Sequence, residues 1–343
     1  MTTENTQLTE LLELANRYPS PHNGQPIVLQ QTDTTSFDIF FQKERGLQAA
    51  EVSFLFSYVT MGVFIQHLSR CAQALGYAFS YKLGLPPLEA IKGAGLVQFA
   101  SCTFTPSTSQ PDTALHQTLL FRQTSRKKYV QGLDDELAQR TIAIAASKHM
   151  QLIKMNRHDT HQAIWLNQRA VFDDMFDDAV RNELNHWLRY TKEEKEAKQD
   201  GLAYDCMELN GRAMKFIVEH YKILRMPGVS DGLKKYYLRT MSDNSDAFYL
   251  LTPFSSEQEA FDVGVAIMQI WEAIAAKGYY LHPFGTIMSN AAAHHDFLKL
   301  ARIAHEDIHK NFLVFIYRAG KSDRPNASLR LPVREHLLRS KDV

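Results

Sequence analysis

Residues 18 to 27 read Tyr-Pro-Ser-Pro-His-Asn-Gly-Gln-Pro-Ile, and residues 122 to 126 read Arg-Gln-Thr-Ser-Arg. In the first segment Pro19, Pro21 and Pro26 fix backbone torsions, while Ser20, Asn23 and Gln25 supply short hydrogen-bonding groups. The apolar run Ile27-Val28-Leu29 follows at once, so the segment predicts a rigid turn that feeds a strand. The second segment packs two guanidiniums and two hydroxyls into five residues. Arginine offers a planar fork of donors to an anion, which suits a phosphate. Taken singly, the first also reads as an ordinary turn before a strand, and the second as a solvated helix end. Taken together, they fit a phosphorylated planar ligand held between a turn and a separate phosphate clamp.

Bulk properties narrow the function. A chain of 343 residues allows one large domain or two ordinary ones. Hydrophobic residues make up 45% and charged residues 22%, the balance of a globular protein. The 38 basic and 38 acidic residues cancel, which argues against a general nucleic-acid binder. Cys71, Cys102 and Cys206 form neither a CxxC pair nor a disulfide framework, and point to a reducing cytoplasm. No basic region followed by an apolar one opens the chain, so no secretory signal is expected. The longest apolar stretches, near 58 to 68 and 263 to 276, are interrupted by Gln66 and His67 and by Gln269 and Glu272. No membrane span is expected from them.

An internal repeat organises the middle of the chain. Residues 62 to 77 align without a gap on 264 to 279, with Gly62, Val63, Ile65, Ala74, Gly76 and Tyr77 meeting identical residues. Both segments read as long, mostly buried helices ending at a glycine cap, followed by the β-rich runs 96 to 99 and 312 to 316. The coarse layout predicts helices at 8 to 17, 52 to 76, 113 to 121, 134 to 147 and 257 to 277. Strands are predicted at 27 to 31, 37 to 42, 96 to 105, 151 to 155 and 311 to 318, and 160 to 242 reads as largely helical and polar. Residues 106 to 112, Pro-Ser-Thr-Ser-Gln-Pro-Asp, carry the strongest linker signal. Long helices on short, mainly antiparallel sheets make an α+β class.

The two opening segments resemble the nitroreductase superfamily of FMN-dependent flavoproteins, and within it the long single-chain Acg-like branch. The family's turn, Pro-Ser-x-x-Asn-x-Gln-Pro-Trp, is matched at Pro19, Ser20, Asn23, Gln25 and Pro26, with Ile27 in place of Trp. Its phosphate motif is met by Arg122, Thr124 and Arg126, with Gln123 as the departure. The resemblance implies a nitroreductase-like fold of two fused halves, a pseudo-dimer with one flavin site. Residues 1 to 112 would supply the turn. Residues 113 to 343 would supply the phosphate site, with a lid-like insertion at about 185 to 235 that carries Arg189 and Asp200-Gly201-Leu202. Further flavin contacts carried over are Phe284 and Gly285, after the second core helix, and Arg330 in the tail, with Arg334 as runner-up. The implied activity is ping-pong hydride transfer from NAD(P)H, a transient co-substrate, to a small-molecule acceptor such as a nitroaromatic or quinone. No side chain serves as nucleophile, and the chain is expected as a monomer or weak homodimer. Two alternatives stay open: a flavin-sequestering protein with little turnover, and a dehydrogenase of a specific metabolite.

Other chemistry is less well marked. His282 reads as a structural histidine. His294, His295, His305 and His309 lack a third ligand at zinc spacing, so no metal is expected. Asp173, Asp174, Asp177 and Asp178 read as a solvated helix face. No GxGxxG or P-loop pattern marks a separate dinucleotide-binding domain.

Overall fold

The computed structural model describes residues 3–49, 56–241, 243–253, 256–304, 306–307 and 312–338. Its centre is a pair of buried helices, Phe56–Ala74 and Glu257–Ala276, packed against each other. Residues 52 to 55 of the first predicted helix lie outside the described residues. The second helix starts where its sequence says it should, since Ser256 and Glu259 form a capping box. Each is ended by a glycine in the left-handed region, Gly76 (φ 79°) and Gly278 (φ 75°).

The contact between these helices obeys the offset of the repeat. A Cβ on Gly62 would lie 2.0 Å from the carbonyl oxygen of Phe261, and one on Gly264 2.0 Å from that of Val59. Phe261 and Val59 stand at the same offset in the sequence as Gly264 and Gly62. Equivalent residues Arg70 and Glu272 pair at 2.7 Å. Backbone approaches backbone this closely only where no side chain intervenes.

A sheet packs against each of these helices. The first holds β1 (Ile27–Gln31), β2 (Ser36–Gln42), β3 (Tyr77–Leu83) and β4 (Leu96–Pro106). The second holds β5 (Gln151–Lys154), β8 (Asp246–Pro253), β9 (Tyr280–Pro283) and β10 (Phe312–Gly320). The insertion adds the short parallel pair β6 (Leu188–Arg189) and β7 (Leu202–Ala203). The tail contributes β11 (Leu337–Leu338), which returns to the first sheet and pairs in parallel with β1. The strand orders are β11-β1-β2-β4-β3 and β5-β8-β10-β9, antiparallel except at β11. In β2 the period of two buries Phe37, Ile39 and Phe41 at 1% exposure or less, fixing which face meets the central helices.

Several predicted elements shift. The first helix runs Thr3–Ala15 rather than 8 to 17. Besides the two-residue strands β6, β7 and β11, three strands were not expected. β3 directly follows the first core helix and β9 follows the second, each ahead of the β-rich run assigned to that place, and β8 lies between the insertion and the second helix. The region read as largely helical is five helices, Arg157–Asp174, Asp178–Trp187, Lys192–Lys198, Gly211–Glu219 and Val229–Met241, interrupted by β6, β7 and turns. It has a small core of its own around Phe172, Met175, Leu188, Met214, Val218 and Leu224. Among the described residues no helix is long and apolar enough to cross a membrane.

Candidate functional site

The Pro-Ser turn is tight and strained. Ser20 is extended, Pro21–Asn23 form one 3-10 turn, and His22, Asn23 and Gln25 all take left-handed φ values of 50°, 54° and 53°. Such values are uncommon outside glycine and persist only where surrounding bonds impose them. Here Gln25 N donates to Ser20 Oγ at 3.0 Å, Gly24 N to the Pro21 carbonyl at 3.0 Å, and Ile27 N to Tyr18 Oη at 3.0 Å.

The amide side chains of the turn tie down two other segments. Gln25, wholly buried, accepts from Leu331 N at 2.9 Å and donates to the Gln199 carbonyl at 3.0 Å. Asn23 donates to the Leu329 carbonyl at 3.1 Å and accepts from the Arg330 guanidinium. Its own carbonyl accepts from Gly201 N. The tail and the insertion thus meet on the turn. The insertion is further held by Asp200, which pairs with Arg45 at 2.7 Å and Arg189 at 2.5 Å. Arg189 is therefore a buried partner in an ion pair, a role its sequence neighbourhood does not reveal.

Beside the turn three guanidiniums interlock. Arg122 and Arg330 both donate to the Arg17 backbone carbonyl, and Arg17 donates to the Leu120 carbonyl at 3.0 Å. Arg122 also lies over the Trp271 ring, 5.0 Å from its centroid. The Nε atoms of Arg17, Arg122 and Arg330 are buried and without a partner. Burial and mutual repulsion lower Arg122 to about 9 and Arg330 to about 10. Elsewhere in this molecule Arg45, Arg189 and Arg318 are each paired with a carboxylate. Among the described residues no carboxylate pairs with these three. Cations buried without a counter-ion are costly, and orphaned donors add to the cost. The arrangement is complementary to an anion with several oxygens.

Arg126, half-buried, donates to the Cys206 carbonyl at 3.2 Å, which links the phosphate motif to the insertion. Its backbone is set by Arg318, an arginine at 0% exposure whose Nη2 donates to the Arg126 and Lys127 carbonyls at 3.1 Å. Arg318 is itself fixed by Asp243 at 2.8 Å and by His282 Nδ1 at 3.2 Å. His282 is held neutral by burial and by Arg318, in keeping with a structural role. Thr124 bridges to Leu281 of β9 and Ser125 N donates to the Leu281 carbonyl, so the motif runs beside the strand that leads into Phe284. Phe284 packs in the second-half core at 1% exposure, Gly285 is exposed with open space where a side chain would project, and the Gln123 Oε1 is a buried acceptor without a donor.

The sequence reading thus named Arg122, Arg330, Asn23 and Gln25, which the fold brings together, and Pro19 and Ser20 at the head of the same turn. It missed Arg17, Arg318 and His22. Arg318 carried a signal, a lone charge inside the apolar strand Phe312–Gly320, whereas Arg17 looked like any helix-end arginine. His305 and His309 lie outside the described residues, and none of the described residues forms a group of three or more metal-ligating side chains.

No family model matches the chain. The chain is similar to the probable NAD(P)H nitroreductase PigM of a Serratia species, 22% identical over 302 residues, covering 83% of this chain and 82% of that protein. The likeness to the nitroreductase superfamily therefore runs along most of the chain rather than through two motifs alone. Among solved structures, the FMN-dependent nitroreductase NfnB from Mycobacterium smegmatis, in complex with NADPH, aligns at 14% identity and a TM-score of 0.35, over 62% of this chain and 94% of that one. The FMN and NADPH-dependent nitroreductase NfnB from Sphigopyxis sp. strain HMH aligns at 13% and 0.37, over 65% and 96%.

Proposed function

We propose that this chain binds FMN and acts as an NAD(P)H-dependent oxidoreductase that reduces small acceptors such as nitroaromatics or quinones. The observation that carries the reading is the cluster of Arg17, Arg122 and Arg330, whose buried Nε atoms lack partners and whose charges lack carboxylates. The likeness to a probable NAD(P)H nitroreductase along 83% of the chain supports it. When bound, FMN supplies the two-electron chemistry at its N5, and the protein supplies binding and orientation.

In this reading Arg122, Arg330 and Arg17 hold the phosphate, and Arg126 and Thr124 complete the clamp. Pro19 stiffens the turn, and Ser20, whose oxygen is already accepting, donates its hydroxyl proton to the flavin. Asn23 and Gln25 act one step back, fastening the tail and the insertion on which Arg330 and Gln199–Gly201 ride. Gln123 offers its unpaired acceptor to a ligand donor, and Phe284 and Gly285 border the ring side. The segment at about 185 to 235 serves as a lid that limits access and excludes water. The reciprocal contacts at Gly62 and Gly264 support a fused pseudo-dimer, because equal patches meeting across a local two-fold are the mark of an isologous interface. A second reading, flavin sequestration with little turnover, is favoured by the closure of tail and insertion over the turn. Steady-state NAD(P)H oxidation with several acceptors separates the two.

Arg122→Ala tests the carrying observation. Losing one charge-assisted partner should cost about 1.5 to 3 kcal/mol, or roughly tenfold to a hundredfold in FMN affinity. Riboflavin, which lacks the phosphate, should bind the variant as it binds the parent. Arg140, exposed on the helix Asp135–Ala146, is the appropriate control. Equal weakening of FMN and riboflavin would remove the phosphate role from Arg122.

A further inference from the structure

Ser20, Asn23 and Gln25 each make a hydrogen bond within the protein, but the imidazole of His22, at the apex of the same turn, has a buried Nδ1 with no partner. Its backbone is left-handed, at φ 50° and ψ 17°. Glycine adopts that conformation without strain, and asparagine and histidine enter it more readily than most other residues. A buried polar atom left without a partner costs stability, a cost that a ligand group bonded to it would remove. The next residue, Asn23, accepts from the Arg330 guanidinium, so the turn that carries His22 abuts the arginine cluster.

On the FMN reading above, we propose that His22 hydrogen-bonds the ribityl hydroxyls of the bound flavin, as a positioning residue between the phosphate clamp and the ring. The chemistry selects that part of the ligand. Burial, reinforced by Arg126, holds His22 at about 4, so the ring is neutral at neutral pH. A neutral imidazole offers a donor at one nitrogen and an acceptor at the other. Hydroxyls match both, whereas the phosphate is already addressed by guanidiniums. The isoalloxazine edge is the province of Ser20 and the segment after β9.

The test removes the imidazole without disturbing the backbone. His22→Gly keeps the left-handed conformation, so the apoprotein should melt at the same temperature as the parent or higher. Its affinity for FMN and for riboflavin should fall about five- to tenfold, the worth of one lost hydrogen bond. Lumiflavin, which has the ring but no ribityl chain, should bind parent and variant alike. His22→Asn, which tolerates the same backbone and keeps a polar group, should recover most of the loss. Unchanged riboflavin affinity in His22→Gly would overturn the proposal, and so would an equal loss for lumiflavin, which would mark a purely structural role. In either case a selective loss of FMN by Arg122→Ala would leave the flavin reading standing. A parent protein that binds none of the three flavins would end both.

Discussion

Acidification from pH 6.5 to 4.5 is expected to unfold this protein well before most of its carboxylates are protonated. His67 and His336 are buried and His22 is half-buried, and desolvation is the largest cause in each of a depressed value, to about 3, about 4 and about 4. Positive charge lowers them further, from Arg122 at His67, Arg45 at His336 and Arg126 at His22. In the unfolded chain the same side chains titrate near 6.5. The unfolded state therefore binds more protons below that pH. Stability is complete above about 6.5, falls as pH drops, and stops falling only below the folded values. Three such groups together give a slope of up to about 4 kcal/mol per pH unit. Over 1.5 units that is on the order of a whole domain stability of about 5 to 15 kcal/mol. Urea unfolding between pH 7.5 and 4.5 measures it, and His336→Asn should flatten the slope. A midpoint that stays level to pH 5 would show that these histidines are not held neutral in the folded protein.

The second large effect is expected at Arg318. It and Asp243 form an ion pair whose side chains are both at 0% exposure. Asp243 also accepts from Tyr129 N at 2.6 Å, and Arg318 lies 4.7 Å from the Tyr129 ring centroid. Arg318→Met leaves a buried carboxylate without its cation, a change that costs about 3 to 5 kcal/mol. It also frees the carbonyls of Arg126 and Lys127, so FMN affinity should fall with stability. Adding Asp243→Asn removes the stranded charge, and the double variant should regain much of the stability while FMN stays weak. Equilibrium unfolding of the four proteins of the cycle gives the coupling directly. Additive losses would show that the pair contributes little as a unit.

The parts legible in the sequence were those decided locally. β1 stands at the predicted 27 to 31, because prolines end the turn and an apolar run begins at once. The helix Thr113–Phe121 likewise matches, since Asp112 caps it by accepting from Leu115 N. β3 escaped because four of its seven residues are exposed and its apolar face, Tyr77, Phe79 and Leu83, is only partly buried. β8 escaped because a continuous apolar run reads equally as strand or helix. At the site, the Pro-Ser turn and the two arginines of the motif were visible as chemistry. That Asn23 and Gln25 turn inward to hold Leu329, Leu331 and Gln199 was not, since those partners lie far away in sequence. Arg17 joins the cluster through its own backbone carbonyl, a role that no pattern of residue types records.

One titration tests the central claim most directly. Apoprotein of known concentration is titrated with FMN, following flavin fluorescence to saturation, and the loaded protein's flavin absorbance is compared with its protein content. One such arginine cluster among the described residues and one Pro-Ser-x-x-Asn segment in the sequence should give one FMN per chain, bound more tightly than riboflavin by at least about tenfold. Two flavins per chain would contradict the single surviving site of a fused pseudo-dimer. No preference for FMN over riboflavin would contradict the reading of Arg17, Arg122 and Arg330 as a phosphate clamp.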